Sequence, residues 1–111
     1  MYPKFQVQFM EDTYEFFTKL DNKTRDKIIY NIEKTAHIND KDLFKKLKDE
    51  IWEFRTLYNK THYRLFAFWD KTNKTQTLVI ETHGVIKKTD KTPDKEIEKA
   101  EELRQLYFKL K

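Results

Sequence analysis

The 111-residue sequence has no cysteine, one glycine and two prolines. Without a thiol there is no disulfide framework, no thiolate metal ligand and no cysteine nucleophile. With Gly84 as the sole glycine, a glycine-rich loop of the phosphate-cradling type is excluded. Long apolar runs are missing too: the longest fall far short of the ~20 residues a membrane-spanning helix needs. No apolar segment of signal-peptide character follows Met1-Tyr2-Pro3-Lys4. The expectation from these absences is a cytoplasmic protein with no membrane partner. His37, His62 and His83 are too scattered for a recognisable zinc pattern, so no metal and no other cofactor is expected.

What is present is charge and aromatic surface. Charged residues make up 38% of the chain and aromatics 15%, enough large apolar side chains to build a core despite the charge. The length fits one domain over residues 1–111, able to bury roughly two thirds of its unfolded surface without staples. A net charge of +4 and a pI near 9.1 favour an anionic partner, because a basic surface draws phosphates towards it.

Along the chain, "FQVQF" alternates Phe5, Val7 and Phe9 against two glutamines, the period of a strand with one buried face. The spacing then predicts a helix from Asp12 to Leu20, a break and cap at Asp21-Asn22, and a second helix carrying Ile28, Ile29, Ile32 and Ala36. "IWEFRTLY", "YRLFAFW" and "TLVIETHGVI" read as three strands in consecutive hairpins, turning at Asn59-Lys60 and around Asn73-Lys74. A last helix starts at Thr92-Pro93, and Ile97, Ala100, Leu103, Tyr107 and Leu110 give it one apolar stripe. The order β-α-α-β-β-β-α predicts a small α+β domain: an antiparallel sheet of about four strands with helices packed on one face.

Two-residue turns set both registers, because directly opposed residues of an antiparallel pair share a face. Phe54 then faces Leu65, Trp52 faces Ala67, Arg55 faces Arg64, Trp69 faces Leu78 and Arg64 faces His83. One face is a core of Trp52, Phe54, Leu65, Ala67, Trp69, Leu78 and Ile80. The other carries Glu53, Arg55, Arg64, Phe66, Phe68, Glu81 and His83. Like charges set opposite one another repel, so Arg55 beside Arg64 requires either neutralisation by Glu53 and Glu81 in a solvated lattice or a use. The use that fits is phosphate binding, for which guanidinium groups offer planar paired donors. On that reading Arg64→Ala leaves the fold as stable or slightly more so. Phe66 and Phe68 either stack on splayed RNA bases or lie beneath a helix or partner. Lys87, Lys88 and Lys91 extend the basic surface into the loop before the last helix. His83 is the first candidate for proton transfer, with Glu53 or Glu81 second, while His37 and His62 read as helix-end and hairpin-loop residues.

"IWEFR", "YRLFAFW" and "HGVIKKTDKTPDKEIEKAEELR" resemble the phage-derived branch of the RelE/HigB toxins of type II toxin–antitoxin systems, over residues 47–105. The resemblance implies a RelE-like fold and an mRNA interferase: a metal-independent endoribonuclease that cuts mRNA on the ribosome and is inhibited by a helix-turn-helix antitoxin. It implies that Arg55, Arg64, Lys87 and Lys88 hold and polarise RNA. It leaves the general acid and base open, since these toxins share no single set and no tyrosine stands in the loop before the last helix. A ParE-like gyrase poison and a degenerate toxin that only binds its antitoxin are the competing readings.

Overall fold

A computed structural model describes residues 5–72, 77–80, 85–87 and 91–110. Within them the chain runs β1 (Gln6–Phe9), α1 (Glu11–Thr18), α2 (Asn22–Thr35), β2 (Phe44–Lys46), β3 (Trp52–Tyr58), β4 (Thr61–Asp70), β5 (Thr77–Ile80), β6 (Val85–Lys87) and α3 (Asp94–Leu110). The fold is α+β, with an antiparallel sheet from β2 to β5 extended by the added strand β1. No described helix is long and apolar enough to cross a membrane.

Local chemistry accounts for several boundaries. Asp21 caps α2 by accepting a hydrogen bond from the Thr24 amide at 2.7 Å, satisfying a donor that the first helical turn leaves without a partner. At the β3–β4 hairpin, Asn59 and Lys60 both take positive φ, 51° and 62°, as the tight turn that follows the right-handed strand twist demands. That turn fixes the register: Phe54 faces Leu65, Trp52 faces Ala67 and Arg55 faces Arg64. The β4–β5 ladder pairs Trp69 with Leu78 and Ala67 with Ile80. Both hairpin registers are those the sequence predicts. The Asn73-Lys74 turn itself lies outside the described residues.

The sheet runs β1-β5-β4-β3-β2, with β6 on β4. Two features depart from the hairpin reading. Strand β1 pairs with β5 in parallel, a long-range contact across most of the chain. Strand β6 resumes the β4 ladder out of step with β5, so the partner of Arg64 is Val85 and not His83. His83, Gly84, Glu81 and Lys88 lie outside the described residues.

The helices do not share one face. Helices α1 and α2 cover Phe54, Leu65 and Ala67 with Phe16, Phe17, Ile28, Ile32 and Ala36. Helix α3 lies on the opposite face, where Ile97 and Ala100 close over Ile51, Phe66 and Phe68. Phe66 and Phe68 are both 0% exposed, with the Phe68 ring 5.1 Å from Tyr107 and 5.6 Å from Phe108. Burying a phenylalanine contributes about 1.5–3 kcal/mol, so these rings are core and have no surface to offer an RNA base. The Tyr107 hydroxyl donates to buried Asp70 at 2.5 Å, and Thr72 donates to the same carboxylate, which ties α3 to the end of β4.

Candidate functional site

Alternation along β3 and β4 sends Glu53, Arg55, His62, Arg64, Phe66 and Phe68 to one side of the sheet. Helix α3 occupies the Phe66–Phe68 end of that side; at the other end Glu53 and Arg64 are buried and Arg55 is partly exposed. Thr92, two residues ahead of α3, marks the border.

At this border sits a charged cluster. Glu53 is fully buried, and its Oε1 receives Arg64 Nη1 at 3.0 Å and lies 3.3 Å from Arg55 Nε. Its Oε2 accepts the Thr92 hydroxyl at 2.5 Å, while Thr92 Oγ1 itself accepts Arg64 Nη1 at 3.0 Å. The Glu53 half of the expected lattice between the opposed arginines is present, but it is buried instead of solvated. Arg64 is 1% exposed, whereas the Arg55 side chain keeps 20% of its surface. Among the described residues the cluster joins two guanidinium groups to one carboxylate, and it reaches solvent at Arg55. Both oxygens of Glu53 are engaged, which places it as a counter-ion that orients the arginines. Arg64 is correspondingly anchored, buried and paired with Glu53, where the sequence reading expected an uncovered face.

The cluster opens on a cleft of about 430 Å³. Its walls include Lys27, Asn31 and Lys34 from α2, Arg55 from β3, and His62, Tyr63 and Arg64 from β4, with Asp40 and Asp42 at the β2 end. The buried Asn31 amide donates to Thr56 Oγ1 at 3.1 Å, fixing α2 against β3 and hence the width of the cleft. Among the described residues, no group of three or more His, Asp or Glu side chains is arranged to hold a metal.

The predicted site residues fare unequally. Arg55 and Arg64 come together as expected. Lys87 is placed opposite His62 by the β4–β6 ladder, and Lys91 is exposed ahead of α3. Phe66 and Phe68 leave the site for the core. His83 and Lys88 fall outside the described residues. The cleft adds His62, Lys27 and Lys34, which the sequence reading passed over. His62 is not a loop residue but the second residue of β4, two positions from Arg64 and so on its face; that parity was the signal for it. Lys27 and Lys34, seven residues apart on α2, share a helix face for the same kind of reason.

A search of curated proteins returns no match. A family profile does match, over residues 15–105, which takes in α2, the hairpin strands and most of α3. The chain belongs to the phage derived protein Gp49-like family (DUF891), a family associated with toxin–antitoxin systems.

Proposed function

We propose that the chain is a toxin of the RelE/HigB kind that cleaves mRNA on the ribosome and is held inactive by a small helix-turn-helix antitoxin. The observation that carries this reading is the pair of opposed arginines, held by one buried carboxylate and opening on a basic cleft that also contains a histidine. Family membership supports an antitoxin partner.

RNA supplies its own nucleophile. A base takes the proton of the 2′-hydroxyl, the oxygen attacks the adjacent phosphorus, and the 5′-oxygen leaves with a proton from an acid, giving a 2′,3′-cyclic phosphate and a free 5′-hydroxyl. Charge builds on the non-bridging oxygens as the phosphorane forms, and fixed donors aimed there are the largest source of acceleration. Arg55 supplies that charge at the cleft surface, with Arg64 behind it and Lys87 on β6, and Lys88 follows Lys87 in the sequence as a further phosphate contact. Imidazole is the side chain suited to proton transfer near neutral pH, worth about 10²- to 10⁴-fold. His62, in the cleft, joins His83 as a candidate. Lys91 adds to the field that holds the RNA backbone.

The test is incubation of the purified chain with mRNA, with and without translating ribosomes, alongside a gyrase supercoiling assay. Fragments ending in a cyclic phosphate are the expected result. Inhibition of gyrase with intact mRNA overturns it in favour of a ParE-like poison.

A further inference from the structure

The burial of Phe66 and Phe68 removes the aromatic surface expected to meet RNA bases, yet another ring stands beside the cleft. Tyr30 on α2 is 58% exposed, and the Lys27 ammonium lies 5.4 Å from its ring centroid. Lys27 precedes Tyr30 by three residues and Lys34 follows it by four, and both lysines line the cleft that holds Arg55, His62 and Arg64. At about 100° per residue, Lys27 and Lys34 fall within about 20° of each other around α2, and Tyr30 about 40–60° to the side away from Asn31. The ring therefore lies on the exposed side of α2, next to the two lysines that line the cleft.

We infer that Tyr30 is a stacking platform for an unpaired base of single-stranded RNA, whose backbone follows Lys27 and Lys34 towards Arg55. This rests on the RNA-cleaving reading of the same cleft and names how it holds its substrate. Charge sets the direction. The exposed acids Asp26 and Glu33 flank Tyr30 on the side away from the lysines, so a polyanion is confined to the cleft side and its base turns outward over the ring. An exposed cation–π contact is worth less than a stacked base, so an arriving base displaces the Lys27 ammonium, which moves to a phosphate. A flat ring on a helix surface has no access to bases stacked within a duplex, which selects single strands. Around the ring this stripe of α2 presents lysines, which favour a polyanion.

The experiment measures binding of the full chain to a single-stranded RNA with 2′-O-methyl sugars, which cannot be cleaved, and to the same oligonucleotide with abasic positions. Tyr30→Leu should weaken binding to the intact RNA about ten- to a hundredfold and leave the abasic strand unaffected, and Tyr30→Phe should bind like wild type. Lys27→Ala should weaken both ligands and lower the salt dependence. Wild-type binding that Tyr30→Leu does not alter, or equal losses on the intact and abasic strands, overturns the platform while leaving the cleavage reading in place. Failure of the wild type to bind either ligand overturns the platform, while the cleavage reading stands or falls on the assay with translating ribosomes. If Tyr30→Leu leaves RNA binding intact but abolishes neutralisation by a co-expressed antitoxin, the ring belongs to a protein interface and the platform is wrong.

Discussion

Removing Glu53 takes away the carboxylate that two arginines share. Arg64 Nη1 and Arg55 Nε lie 3.0 and 3.3 Å from the same Oε1, so these nitrogens stand no more than 6.3 Å apart, the total of the two distances. Two positive charges at about 6 Å repel by about 3 kcal/mol at an effective dielectric of about 20. That agrees with the about 3–5 kcal/mol commonly lost when one partner of a buried ion pair is deleted. In a domain of this size about 4 °C of melting temperature accompanies each kcal/mol, so Glu53→Ala should lower Tm by about 12–20 °C. Arg64→Ala should cost a similar amount, because it leaves Glu53 and the Thr92 hydroxyl without their principal donor. Glu53→Leu with Arg64→Leu should lose less than the sum of Glu53→Leu and Arg64→Leu made singly, since a well-packed apolar pair replaces an ionic one at little cost. Thermal and urea melts of the wild type, the single variants and the double variant measure the coupling. A Tm for Glu53→Ala within a few degrees of wild type, or strict additivity in the double variant, would refute the argument that this carboxylate holds the arginines together.

Phe68→Ala should cost about 3–5 kcal/mol in urea unfolding by opening a cavity under α3, with RNA affinity per folded molecule unchanged; weakened RNA binding without loss of stability would return the ring to the surface. The Thr24 backbone N–H, followed by its side chain, holds the Asp21 carboxyl below its ordinary 3.8. Because the folded form favours the ionised acid, its contribution is present above about pH 4 and fades as pH falls through the lowered value, so the Tm gap between wild type and Asp21→Ala should close on acidification. A gap that widens in acid would contradict this. Replacing Lys87 and Lys88 together with Ala should flatten the log–log salt dependence of RNA or ribosome binding by about two units, with melting little changed.

Local patterns carried the hairpins. The pleat alternates side chains whatever the rest of the chain does, and the Asn59-Lys60 turn leaves β3 and β4 one comfortable register, so Arg55 opposite Arg64 was readable. The apolar stripe of α3 was equally plain, but the side of the sheet it covers was not. That choice depends on Phe66 and Phe68 offering an apolar patch on the second face, and alternation alone does not distinguish an exposed ring from a covered one. Long-range pairing was hidden for a similar reason: nothing within "FQVQF" indicates a parallel partner seventy residues away. The short β2 owes its place to Phe44 stacking at 4.3 Å on Phe54, a contact that becomes available only once β3 exists. At the site, the arginines were legible because they are charged and opposed. The lysines of α2 were not, since their role depends on where the helix lies across the sheet.

The central claim is that the guanidinium cluster at the cleft acts on RNA, and Arg55 is the residue that tests it most directly because it is the member that reaches solvent. Cleavage of mRNA by wild type, Arg55→Ala and Arg55→Lys should be compared on translating ribosomes, at equal folded concentration confirmed by melting. Arg55→Ala should stay folded and lose cleavage by about a hundredfold or more, as removal of one oxyanion donor does, with Arg55→Lys recovering only part because a lysine lacks the paired donors. An Arg55→Ala protein that is folded and cleaves at the wild-type rate would contradict that claim.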